Sequence, residues 1–202
     1  MRRYTPIVRC ARTWAWLLLV FFPLAASAQQ TVYVDDDACP GPGSGTAGDP
    51  YCSIQAAICD LRQTGGGEVR VHPGTYNESL RMFPGISVVS TDGPDRTTLD
   101  ASGRPCTTSA CEPSGDYLAC STVVWGSGST QADRLDGFRI TGGSGLFRDF
   151  GGDGDAVAGG GIFIFGSSPT ISNNVIADNE LFSKSSHQFW GAGIYLGYPL
   201  WQ

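Results

Sequence analysis

The chain has 202 residues, with 13 Lys plus Arg against 19 Asp plus Glu for a formal charge of −6, and it carries 28 Gly and 12 Pro. The acidic balance argues against nucleic acid as a partner, because a polyanion would be repelled rather than neutralised. So much Gly and Pro would indicate disorder in an unpatterned chain, but here they punctuate short β-prone runs at regular intervals.

Residues 1–28 read as an export signal. Arg2, Arg3, Arg9 and Arg12 precede an apolar run from Trp14 to Leu24, and Ala26-Ser27-Ala28 places cleavage before Gln29. Eleven apolar residues, at about 1.5 Å each, are too short for a hydrocarbon layer about 30 Å thick, so no membrane span is expected after cleavage. Cys10 lies ahead of the apolar run, not at the cleavage site where a lipid anchor would form. Loss of the leader removes four Arg and no acid, which leaves nine basic against 19 acidic residues, a formal charge of −10.

The mature chain keeps Cys39, Cys52, Cys59, Cys106, Cys111 and Cys120, an even number in a protein bound for an oxidising compartment, which reads as disulfides. Zinc is the weaker reading, since there is no Cys-x-x-Cys pair and only His72 and His187 offer nitrogen. Of the possible connectivities we expect Cys39 with Cys52 and Cys106 with Cys111, each closing a short Pro/Gly/Ser-rich loop, which leaves Cys59 with Cys120.

In chain order, strands are expected at Thr31–Val34, Glu68–His72, Ile86–Ser90, Thr122–Trp125, Leu135–Thr141, Ile162–Phe165, Thr170–Ile176 and Ile194–Leu196. One helix is expected, from Ser53 to Gln63. Ser53 is its N-cap, Ile54, Ala57, Ile58 and Leu61 fall at helical spacing, and Gly65-Gly66-Gly67 stops it.

Internal repetition distinguishes a solenoid from a sandwich. Gly159-Gly160-Gly161-Ile162-Phe163-Ile164 recurs as Gly191-Ala192-Gly193-Ile194-Tyr195-Leu196 at an offset of 32, and Leu135–Ile140 is answered by Ile171–Ile176 at an offset of 36. Two registers with similar offsets indicate coils that stack about 4.8 Å apart in parallel sheets, each coil a strand, a turn, a second strand and a variable loop. Period-two alternation sends Ile162, Ile164, Ile194 and Leu196 inward and Phe163 and Tyr195 outward. Asn173 and Asn174 form the sharp turn, since Asn tolerates left-handed backbone and its amide can bond the amide of the coil below.

These residues resemble the pectin-lyase-like superfamily. Glu68-Val69-Arg70-Val71-His72-Pro73-Gly74-Thr75-Tyr76-Asn77-Glu78, Ile86–Ser90 and Thr98-Leu99-Asp100 look like its first coils. Val32–Asp36 and Gly48–Ile58 look like its N-terminal strand and capping helix, and Gly159–Asn179 is similar to its generic repeat. The resemblance covers residues 31–100 and 134–197. It implies an all-β fold, a right-handed parallel β-helix with a short N-terminal capping helix. The expected organisation is a cap at 29–67, first coils at 68–104, a Cys-rich insertion at 105–121 and repeat coils at 122–202. The repeat pattern stops in mid-coil at Gly197–Gln202, so we expect a truncated C-terminal end or one covered by another chain.

The resemblance is specific for fold and unspecific for activity. Lyases of that superfamily hold calcium on carboxylates against an acidic sugar, so Asp149, Asp153 and Asp155 in a Gly-rich stretch are the candidate Ca2+ ligands, with a solvated loop as the plainer reading. Asp35-Asp36-Asp37 reads as a charged edge that blocks strand addition. Arg70 and His72 share an outward strand face and are the candidate bases, without a carboxylate assigned beside them. Phe163 and Tyr195, one coil apart, are the candidate carbohydrate-binding platform, although such rings equally stack on one another. Two functions result. One is a secreted or cell-surface non-catalytic module that binds extracellular polysaccharide or another surface macromolecule, or serves in structure or adhesion. The other is a fragment of a polysaccharide lyase or glycoside hydrolase acting on acidic polysaccharide.

Overall fold

The computed structural model describes residues 29–104, 111, 119–149, 155–182 and 188–198. Strand β1 (Gln30–Val34) is followed by a short 3-10 turn at Asp36–Ala38 and by the helix α1 (Ile54–Thr64). Ser53 caps α1 by accepting a hydrogen bond from the Ala56 amide, and Gly65, at a φ of 104°, ends it in the left-handed conformation that favours glycine. The apolar stripe Ile54, Ala57, Ile58 and Leu61 is fully buried, so the helical spacing in the sequence is also the packing face.

After α1 the chain makes successive circuits. The first contains β2 (Gly67–Val71), β3 (Gly74–Tyr76) and β4 (Leu80–Met82). The second contains β5 (Ile86–Ser90), β6 (Thr97–Asp100), β7 (Ala119–Cys120) and β8 (Val123–Trp125). The third contains β9 (Arg134–Asp136), β10 (Arg139–Thr141), β11 (Gly145–Asp149), β12 (Asp155–Ala158) and β13 (Ile162–Phe165). The fourth contains β14 (Thr170–Ser172), β15 (Val175–Ile176), β16 (Gln188–Trp190) and β17 (Ile194–Gly197).

Equivalent strands stack into four sheets. The first runs β1-β2-β5-β9-β14, the second β3-β6-β10-β15, and the third β4-β8-β13-β17. Every pairing in these three is parallel. The registers are those of the internal repeats: Ile162 pairs with Ile194, and Leu135 with Ile171. Among the described residues the fold is thus mostly β, with one α-helix and parallel sheets.

Two differences from the sequence reading have physical causes. The runs 135–141 and 170–176 are not single strands. Gly137 at φ 84° and Asn173 at φ 54° turn each run, so that its two halves join different sheets and a circuit visits three parallel sheets where two strands were expected. The residues on either side of the Gly-rich stretch are not a plain loop. Strands β11 and β12 form an antiparallel hairpin, which joins β7 and β16 in the fourth sheet.

That hairpin explains why there are two cores. Inward residues of the three parallel sheets, among them Val69, Val88, Leu99, Ile140, Val123, Trp125, Ile162 and Ile164, form one buried cluster with α1. Val124, Leu146, Ala158 and Phe163 form another, on the outer face of the third sheet beneath the hairpin. Successive side chains on β13 therefore enter different cores, as a period of two requires. On the last strand, Ile194 is 46% and Leu196 55% exposed, whereas their register partners Ile162 and Ile164 are buried. Among the described residues no helix is long and apolar enough to cross a membrane.

Candidate functional site

The cysteines fasten the N-terminal end. Cys39 is bonded to Cys52, as expected, but Cys59 on α1 is bonded to Cys111. The expected pairs Cys106–Cys111 and Cys59–Cys120 are therefore incorrect. Loop length was a poor guide, because Cys111 docks on the helix. The Arg62 guanidinium donates to the Cys111 carbonyl at 3.1 Å, and the Gln55 side-chain amide donates to Cys111 Sγ at 3.4 Å. Cys120 is also disulfide-bonded, and Cys106 lies outside the described residues.

The aromatic pair stacks on itself. The rings of Phe163 and Tyr195 lie 5.2 Å apart at 20°, and Trp190 stacks on Tyr195 at 5.9 Å and 19°. Phe163 is only 1% exposed because the hairpin covers it, so its ring is a packing surface that a sugar cannot reach in this arrangement, while Tyr195 is half-buried. Asn173 and Asn174 tie the fourth circuit to the third. The Asn174 amide accepts from the Phe138 N–H at 2.8 Å and donates to the Leu135 carbonyl at 2.9 Å, and Asn173 donates to Asp136 at 2.9 Å. Their partners below are thus backbone and a carboxylate, not another amide. Of the acidic trio, Asp149 and Asp155 face each other as Cα partners across the β11–β12 hairpin, and Asp153 lies outside the described residues.

Most of the strand-borne charge on the first sheet is engaged locally. Arg70 donates to Glu68 at 2.8 Å and Arg134 to Asp136 at 3.0 Å, while His72 Nδ1 lies 3.2 Å from Asp35. Glu68 raises the already high pKa of Arg70 through that hydrogen bond. The carboxylates beside Arg70 and His72 that spacing did not assign are therefore Glu68 and Asp35. Other acids hold backbone. Asp36 accepts from the Thr75 N–H at 2.9 Å, and Glu78 accepts from Ser53 Oγ, Ile54 N and Gln55 N at 2.8, 2.8 and 3.0 Å. Asp133, 4% exposed, accepts from Gly85 N and Thr130 N. Between these groups Tyr76 donates its hydroxyl to the His72 carbonyl, and burial, together with the charge of Asp36, raises its pKa well above the ordinary phenol value.

A different arrangement follows the strands of the second sheet. The segments leaving β6, β10 and β15 line a groove of about 610 Å³ whose polar side chains are Ser102, Arg104, Ser144, Asp178, Asn179 and Glu180. Its floor is a set of inter-circuit hydrogen bonds. Ala101 N donates to the Thr141 carbonyl at 3.0 Å, Gly142 N to the Asp178 carbonyl at 3.2 Å, and Glu180 N to the Gly143 carbonyl at 3.0 Å. Asn179 completes the floor by accepting from Gly143 N and donating to the carbonyls of Ile140 and Ala177. At Gly142, with φ 76°, a Cβ would come within 2.5 Å of Ser102 and the Asp100 carboxylate, so only glycine fits there. Among the described residues, the side chains of Arg104, Asp178 and Glu180 make no ion pair or hydrogen bond.

No protein-family model matches the chain, and neither a curated protein nor a solved structure matches it. The site must therefore be read from its own chemistry. Among the described residues no three His, Cys, Asp or Glu side chains are grouped so as to hold a metal ion. None of the residues lining the groove was singled out from sequence. The signal was positional: each follows a strand of the second sheet, and three of those strands were too short, at three or four residues, to be recognised as separate elements.

Proposed function

We propose that this chain is a secreted or cell-surface right-handed parallel β-helix of the pectin-lyase-like type that binds glycan without turning it over. One observation carries the reading. Acids along the first sheet and at the α1 cap are committed to fastening backbone or cations, whereas Arg104, Asp178 and Glu180, with the hydroxyls of Ser102 and Ser144, converge on one polar groove with no side-chain partner among the described residues. Carboxylates accept from paired hydroxyls, a guanidinium donates to adjacent oxygens, and a serine hydroxyl does either, so this set complements a polyhydroxylated ligand. The floor is hydrogen-bonded between circuits, which reduces the ordering cost of binding.

Export is supported by the leader composition together with the bonded cysteines, since disulfides persist in oxidising compartments. The parallel stacking and the repeat registers support the β-helix assignment. The purified chain from Gln29 onward, incubated with a polysaccharide panel with and without calcium, is expected to bind without releasing product. Release of unsaturated or reducing sugar would overturn this reading in favour of a lyase or hydrolase.

A further inference from the structure

We infer that the ligand of this region is a linear, uncharged glycan that lies across the rungs of the second sheet and passes Arg104 at its middle. The inference rests on the glycan-binding reading above and adds the polymer's direction, length and charge class.

Arg104 lines two grooves. One is the 610 Å³ groove, and the other, of about 310 Å³, is lined by Asp36, Ser53, Thr75, Asn77 and Glu78 among others. The two grooves together gather the residues that leave β3, β6, β10 and β15, the four consecutive rungs of one parallel sheet. Rungs repeat every 4.8 Å or so, and an extended sugar chain advances by about one rung per ring, so the cleft accommodates roughly three to four rings running across the strands. Polar side chains recur along this path: Asn77 and Thr75 on the first rung, Ser102 and Arg104 on the second, Ser144 on the third, Asp178 and Glu180 on the fourth. A single sugar would use only part of such a set.

The charge pattern selects among polymers. Among the described residues, Asp36, Glu78, Asp178 and Glu180 line the cleft against one cation, Arg104. A polyuronate would bring one more carboxylate at each ring into a cleft already net negative, with one guanidinium to receive them. A polymer of amino sugars would be drawn to the acids at the two ends of the cleft, but would set an ammonium group against the Arg104 guanidinium at its centre. An uncharged chain avoids both like-charge contacts and still uses the carboxylates of Asp178 and Glu180 as acceptors for its hydroxyls.

The test is calorimetric titration of the chain from Gln29 onward with neutral β-linked oligosaccharides from disaccharide to hexasaccharide, alongside oligogalacturonates and chitosan oligomers of the same lengths. Affinity for the neutral series is expected to rise up to the tri- or tetrasaccharide and then level off, with oligogalacturonate at least tenfold weaker at low salt. Arg104→Ala is expected to weaken tetrasaccharide binding about tenfold. Arg104→Lys is expected to recover only part of that loss, since it restores charge without the planar fork. Asn77→Ala is expected to weaken the longer oligomers and leave the disaccharide unchanged. Tighter binding of the uronate or chitosan series, a plateau already at the disaccharide, or unchanged binding by Arg104→Ala would overturn the inference while leaving glycan binding intact. A folded chain, verified by circular dichroism, that binds none of the oligosaccharides would overturn both.

Discussion

In the segment after β3, the Glu78 carboxylate is held by the Ser53 hydroxyl and two amides of α1, while three rungs along the same sheet Asp178 and Glu180 face a groove with no partner among the described residues. The residue types are alike and the roles are not. The difference lies in what each backbone exit meets. The exit of β3 abuts the N-terminus of α1, whose amides lack helical acceptors and draw in an anion. Among the described residues, the exits of β6 and β15 meet only their own neighbouring rungs, whose amides and carbonyls already bond one another and Asn179. A carboxylate at a helix end is therefore taken up by stability, and one beside a satisfied ladder is left for a ligand.

Substitutions can break this contrast. Glu78→Ala removes an acceptor from three donors and should cost about 2–3 kcal/mol in urea unfolding, a fall in Tm of roughly 5–10 °C for a domain of this size. A loss below about 0.5 kcal/mol would mean that α1 does not depend on this carboxylate. Asp133→Ala orphans the amides of Gly85 and Thr130 and should cost about 2 kcal/mol in the same assay.

Tyr76 sharpens the comparison through pH. Its phenol is raised by burial and by neighbouring carboxylates, so the folded state keeps a proton that the unfolded chain releases above the ordinary phenol pKa of about 10. The unfolded state then binds fewer protons, and stability falls as pH rises, by about 1 kcal/mol between pH 10 and pH 11. Tyr76→Phe should flatten that alkaline limb when unfolding is followed across this range, and an unchanged slope would assign it to other groups. The smallest effect belongs to the groove. Asp178→Asn with Glu180→Gln should change stability by no more than about 0.5 kcal/mol, and a larger loss would show that these acids, like Glu78, are fasteners.

How far the fold could be read from sequence depended on whether each signal was local. Ile162–Ile194 and Leu135–Ile171 are register partners because glycine-bounded apolar runs recur in the chain itself. The helix lies within one residue of its expected limits, since Ser53 and Gly65 mark its ends chemically. The β11–β12 hairpin was not legible. Leu146 and Ala158 alternate only weakly, and their burial comes from covering Phe163 and Val124 on another strand. The Cys59–Cys111 bond was hidden for a similar reason, being closed where Cys111 meets α1 across a separation of 52 residues.

By itself the sequence determined the repeat, the identity of the inward side chains and the position of the capping helix, because periodicity and turn chemistry are properties of neighbouring residues. Only the tertiary structure decided which acids became fasteners, which aromatic was covered and which polar side chains came together in a groove. Those outcomes depend on what each segment meets after about 20 to 50 further residues of chain have closed a circuit, and strand spacing in a stacked sheet, not sequence spacing, sets that encounter.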